Sequence, residues 1–340
     1  MLSTPPPCSQ AADCLSHSTF STMNLFFDLF SVLLGFIVGR QADSTSYTLS
    51  ASYVGSGFND AFSYDAIPDP TNGRVTYVDA ATAAAQNLTF ASADAFVLRT
   101  DYTTVLSASD PGRNSVRLKS NVQYTNHVAI FDVRHMPQGC ATWPAIWELG
   151  DNWPAGGEID ILEGVNDNGT NAISLHTSPN CTVPASGRDQ TGITETTDCD
   201  TNANGNSGCG VAATGTGTYG PSFNDNGGGW LALERSSSAV NVYFWPRTSS
   251  TVPSDVENGA GSIDTSQWGV PVANFPDTSC DFSSHLGPMN IIINLTLCGD
   301  WAGNVFNQDG CPGTCVDYVD ANPAAFVNAY FEFASLNIYE

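Results

Sequence analysis

The chain has almost no lysine: Lys119 is the only one, and ten Lys and Arg together face 34 Asp and Glu, for a formal charge of −24 at pH 7. A surface so poor in positive charge repels phosphate backbones and anionic bilayers, which excludes nucleic-acid and anionic-membrane binding. Charged residues of both signs are scarce at 13%, and the Ala/Glu/Lys/Leu/Arg mixture of helical proteins is missing. After residue 43 there is no linker, charge block, low-complexity run or internal repeat, so one domain is the economical reading. A paired CxxC is also lacking, which removes the usual zinc arrangement. What is abundant is Gly (31), Pro (19), Ser, Thr and Asn, with 41% hydrophobic and 11% aromatic residues. That is enough apolar surface for a core, cut into short strands by turns, and the expected class is all-β.

Leu25 to Val38 is an apolar run followed by Gly39, Arg40, Gln41 and Ala42. It is short for a bilayer span and is interrupted by Asp28, so it reads as a secretory h-region more readily than as a membrane anchor. Residues 1–42 are expected to be a leader, with 1–22 an extension ahead of a start at Met23 and the signal peptide covering about 23–42; residues 43–340 form the domain. Of ten cysteines, Cys8 and Cys14 lie in the leader. The other eight, Cys140, Cys181, Cys199, Cys209, Cys280, Cys298, Cys311 and Cys315, are expected to pair in an oxidising compartment. Eight cysteines permit about 105 connectivities, although Cys199 with Cys209 and Cys311 with Cys315 could each close a small loop. Sequons at Asn87, Asn168, Asn180 and Asn294 agree with secretion.

Period-two segments mark strands. Val128, Ile130 and Asp132 alternate with Ala129, Phe131 and Val133, and Val240, Val242 and Phe244 alternate with Asn241, Tyr243 and Trp245. Tyr330 to Tyr339 reads as a closing strand, and the longest loop runs from about Pro179 to Gly229, held by its cysteines. Together these give a β-sandwich with stapled loops.

The chemistry concentrates in Gly157-Glu158-Ile159-Asp160-Ile161-Leu162-Glu163-Gly164. On a strand Glu158 and Asp160 share one face while Ile159 and Ile161 enter a core. Parity then fails, because a regular strand would bury Glu163 and expose Leu162, at several kcal/mol for an unpaired buried carboxylate. One inserted residue, a β-bulge between Ile161 and Glu163, places all three acids on one groove. Crowded carboxyls of this kind hold one another's protons, which equips a site to cleave an acetal. A solvated acidic face or half of a calcium site are the plainer alternatives.

Trp143, Trp147 and Trp153 stand just upstream, three of seven tryptophans. Indole faces suit sugar rings, and Trp147, beside Ile146 and Leu149, is the one expected to pack in the core. Downstream, Ser174 and His176 lie opposite Ile173 and Leu175, so His176 could reach the groove. Asn294 sits within an apolar strand-like run, which makes it the least accessible of the four sequons. Asp200-Thr-Asn202-Ala-Asn204-Gly205 mimics a calcium loop, but Val211 occupies the position that requires a bidentate Glu.

Trp143-Pro-Ala-Ile-Trp147, Gly157-Glu158-Ile-Asp160-Ile-Leu-Glu163, His176 and Asn294-Leu-Thr-Leu-Cys298-Gly-Asp-Trp301-Ala-Gly303 resemble glycoside hydrolase family 16, in particular its secreted fungal laminarinase-type β-glucanases. The resemblance covers most of the chain after residue 43. It implies a β-jelly-roll of two antiparallel sheets with a concave substrate cleft. It also implies Glu158 as nucleophile, Glu163 as acid/base, Asp160 as the carboxylate between them, and Trp143, Trp153, His176 and Trp301 as cleft residues. The expected activity is retaining endo-β-1,3-glucan hydrolysis, extending to mixed 1,3-1,4 linkages, by a monomer without metal or organic cofactor, acting on polysaccharide outside the cell. A β-glucan transglycosylase and a non-catalytic glucan-binding module are the alternatives.

Overall fold

The structure, a computed structural model, describes residues 45–340; the leader and its expected cleavage region lie outside them. Two large antiparallel sheets form a jelly-roll sandwich, and a short parallel pair, Val75–Tyr77 with Arg113–Ser115, lies beside them. The first sheet has eight strands in the order Ile193–Thr194, Cys209–Ala212, Ala172–His176, Glu158–Glu163, Thr142–Gly150, Met289–Leu297, Arg117–Tyr124 and Phe62–Tyr64. The acidic segment is therefore central, hydrogen-bonded on both edges and held in register by both neighbours. The second sheet, of nine strands, has Tyr330–Tyr339 and His127–His135 side by side near its middle.

Ile159, Ile161 and Leu162 from the first sheet meet Phe131, Leu231 and Val240 from the second in one core. Each such side chain contributes about 1.5–3 kcal/mol when fully buried. The outer face of the second sheet is covered as well. Val128, Ile130, Trp230, Tyr243 and Trp245 are covered by Val256, Ile263 and Trp268 as a second core. Trp268 stands edge-on to Tyr243 at 5.2 Å and to Trp245 at 5.6 Å, and its indole N–H donates to Asp255 at 3.2 Å. Both faces of these strands are apolar because both are buried.

The segment after Pro179 is not a bare loop. It carries two strands that extend the first sheet and the helix Gly220–Asp225. All eight cysteines of the described region are paired, as Cys140–Cys311, Cys181–Cys280, Cys199–Cys209 and Cys298–Cys315. The expected Cys199–Cys209 loop is present, whereas Cys311 does not pair with Cys315. Thr314 caps the helix that Cys315 opens, its side chain accepting from the Asp317 N–H. Cys315 instead joins Cys298 at the end of the Met289–Leu297 strand, and Cys311 reaches back to Cys140. One carboxylate does face the interior: Glu148 is fully buried, 2.8 Å from His127 Nε2 and 3.9 Å from Arg235. Such pairing is what a buried acid requires and what an inward-facing Glu163 would have lacked.

Candidate active site

Pairing along the acidic strand runs Glu158 to Leu149, Ile159 to Glu148 and Asp160 to Trp147, then slips to Leu162 with Ile146 and Glu163 with Ala145. The extra residue is Ile161, so the bulge falls one position before the expected one, with the expected result. Ile161 and Leu162 are both fully buried, and Glu158, Asp160 and Glu163 all line one groove of about 840 Å³. A bulge leaves backbone groups without ladder partners, and here Asn171 takes them. Its Nδ2 donates to the Ile161 carbonyl at 2.8 Å, and its Oδ1 accepts from the Glu163 N–H at 2.9 Å. Asn171 escaped sequence reasoning because nothing in its spacing points to a bulge on the preceding strand.

Ser174 Oγ donates to Asp160 Oδ2 at 2.5 Å, and His176 Nε2 lies 3.3 Å from the same oxygen and 3.1 Å from Ser174 Oγ. Trp143 Nε1 donates to Glu163 Oε1 at 2.7 Å, and its ring meets Trp301 edge-to-face at 5.7 Å. Trp153 is 46% exposed at the groove wall. The seven residues expected at the site are thus brought together on one groove. Trp147 joins them, against expectation: it lies on the same face as Trp143, donates its indole N–H to Asn294 Oδ1 at 2.7 Å, and carries Arg117 above its ring at 5.0 Å. Its neighbour Ile146 takes the core position instead, as parity on the strand requires. Asn294 is buried, with Nδ2 donating to Tyr77 at 3.2 Å, whereas Asn87, Asn168 and Asn180 are exposed.

Burial pushes the Glu158 carboxyl up to about 7, with the charge of Asp160 adding to it and His176 and the Trp153 indole opposing. Burial and then Asp160 push Glu163 to about 8, against the Trp143 N–H and the charge of His176. For His176 burial opposes the charge, but the hydrogen bond and charge of Asp160, with Glu158 and Glu163, outweigh it and push the imidazole up to about 10. Donor atoms of Glu158, Asp160 and His176 lie within 4.8 Å of one another, the nearest approach to a metal-binding set among the described residues. Ser174 and His176 already direct their protons at Asp160, so the set is a proton-bearing network. The arrangement supplies two carboxyls with raised proton affinities facing one groove, with a histidine as counter-charge beside the third acid.

Residues 62–339 match the family model described as the XgeA-like catalytic GH16 domain. The chain belongs to glycoside hydrolase family 16. It is 41% identical over 298 residues to a Schizosaccharomyces pombe protein named as a probable glycosidase, covering 87% of this chain and 70% of that one. An Aspergillus clavatus protein named as a probable endo-1,3(4)-β-glucanase is 42% identical over 307 residues, covering 87% of this chain but 47% of its own length. The chain thus spans about half the length of several curated relatives. Among solved structures, Phanerochaete chrysosporium Laminarinase 16A, with 6-O-glucosyl-laminaritriose in donor and acceptor sites, has 57% identity and a TM-score of 0.86. That similarity covers 87% of this chain and 100% of the laminarinase. An elongating family 16 β-1,3-glucosyltransferase has 40% identity and a TM-score of 0.80 over 86% of this chain and 100% of its own.

Proposed function

We propose that this family 16 chain is a secreted, retaining endo-β-1,3-glucanase that also accepts mixed 1,3-1,4 linkages, with residues 43–340 as one catalytic unit behind the leader. The observation that carries the reading is the bulged strand, which sets Glu158, Asp160 and Glu163 on one face with Trp143 bonded to Glu163. Glu158 attacks the anomeric carbon and Glu163, held by the Trp143 indole, protonates the departing oxygen. Glu163 then takes a proton from the water that resolves the glycosyl-enzyme. Asp160, tied to Ser174 and His176, holds the charge balance while Glu158 loses its negative charge. Trp143, Trp147, Trp153 and Trp301 offer indole surface to successive sugar rings, in keeping with the glucan-bound laminarinase of similar fold.

Transfer to a second sugar is the competing outcome, favoured by the 40% identity to an elongating glucosyltransferase. Laminarin, lichenan and xyloglucan digests followed over time by mass spectrometry separate the readings. Short oligomers from laminarin support hydrolysis, and products longer than the substrate mean transfer. Binding without turnover would mean a recognition module. Proton NMR of the first product should show the β-anomer; an initial α-anomer would overturn Glu158 as nucleophile.

A further inference from the structure

The disulfide Cys199–Cys209 closes a ten-residue separation, and the loop inside it is folded against the active-site histidine. Asn206 Oδ1 lies 3.1 Å from His176 Nδ1, and Gly205, Asn206 and Ser207 line the groove. Gly208, at φ +60°, allows this approach: a Cβ there would fall 2.9 Å from His176 Nδ1 and 2.8 Å from the Leu175 carbonyl. The backbone conformation and the lack of space both demand glycine at that position.

The proton positions follow from the partners. Ser174 spends its hydroxyl proton on Asp160, so the Ser174 oxygen and the Asp160 carboxylate can only accept from His176 Nε2. Nε2 therefore carries a proton. With Asn206 Oδ1 facing it at 3.1 Å, Nδ1 makes a hydrogen bond only when it too carries a proton. The titratable groups facing the ring are Asp160, Glu158 and Glu163, all on the acidic strand. Their charges favour a cationic imidazole, and Asn206 gives that cation its second hydrogen bond.

We propose that Asn206, held by the Cys199–Cys209 loop, is a positioning residue that keeps His176 as a two-donor cation beside Asp160. The proposal rests on the glycosidase reading for its catalytic consequence. The cation is the counter-charge for three acids, so losing it raises the proton affinity of Glu158 and Glu163 and leaves Asp160 less firmly oriented.

The test is a histidine ¹⁵N titration of the folded enzyme, feasible because the chain has five histidines, together with the pH profile of kcat/KM on laminarin. Asn206→Ala should lower the His176 pKa by about one unit, the effect expected for removing a hydrogen bond to a charged group. It should reduce kcat about tenfold and move the alkaline limb, which belongs to Glu163, to higher pH, while Asn206→Asp, which keeps an acceptor at Nδ1, restores the histidine titration. An unchanged His176 titration in Asn206→Ala overturns the proposal. So does an unchanged pH profile in a variant whose histidine has shifted. A wild-type protein inactive on laminarin refutes the proposed function alone, since the titration still reports whether Asn206 holds the imidazole.

Discussion

Glu158 must be ionised to attack and Glu163 protonated to donate, so activity is confined to the interval between their titrations. Both lie above the ordinary glutamate value of 4.5, at about 7 and about 8. The profile of kcat/KM should accordingly be bell-shaped, with its apparent limbs belonging to the coupled acids. Glu163→Gln should abolish the alkaline limb and slow laminarin by orders of magnitude, while substrates with good leaving groups suffer far less. An alkaline limb that persists in Glu163→Gln would assign the acid elsewhere. Stability falls with rising pH through the same titration. A carboxyl whose folded pKa is raised stabilises the fold in its protonated form; this contribution is present below about 4.5 and is lost as pH climbs through about 8. Glu163→Gln should therefore melt at a higher temperature than wild type at pH 8, and the difference should shrink at pH 5. Equal differences at both pH values would show that Glu163 is not held protonated by its surroundings.

The acidic strand works only because it is irregular, and Asn171 holds the irregularity by bonding the Ile161 carbonyl and the Glu163 N–H. Asn171→Ala leaves both backbone groups buried without these partners, a cost of about 1–3 kcal/mol each if nothing replaces them. The expected result is a lowered Tm and a loss of rate confined mainly to poor leaving groups, because the displaced group is the proton donor. Equal losses for activated and unactivated substrates would place the defect elsewhere. The bulge was legible from sequence, since three acids and three aliphatics admit one repair of parity; its position was blurred by one residue because Ile161 and Leu162 are equally apolar. Trp147 was misjudged for a related reason. Its aliphatic neighbours suggested a core position, but strand parity assigns Ile146 inward and Trp147 outward beside Trp143. Asn171 and Asn206 were not legible as site residues, since amides in an Asn-rich chain carry no periodic signal, whereas Asn294 stood out within its apolar strand. Their roles arise from contacts that only the folded chain makes, Asn171 with the neighbouring strand and Asn206 from its loop. The Cys311 and Cys315 pairings were hidden for the same reason: one bridge spans 171 residues, a distance at which local spacing is silent.

At the scale of the molecule, the charge of −24 surrounds a groove whose proposed ligand is uncharged. A neutral glucan gains nothing from electrostatic steering, so its capture should be indifferent to screening. An anionic glucan approaches a surface of its own sign and is repelled over roughly 30 Å at about 0.01 M salt but only over about 8 Å at about 0.15 M. Comparing laminarin with a carboxymethylated β-1,3-glucan across that range separates the surface field from the groove. The kcat/KM for laminarin should change less than about twofold, whereas the value for the carboxymethylated polymer should climb severalfold as salt is added. The acids within the groove do not alter the expectation for laminarin, because His176 and the raised proton affinities of Glu158 and Glu163 offset much of their charge locally. A steep salt dependence with laminarin would show that charged groups at the surface, and not the indole-lined groove, control productive binding.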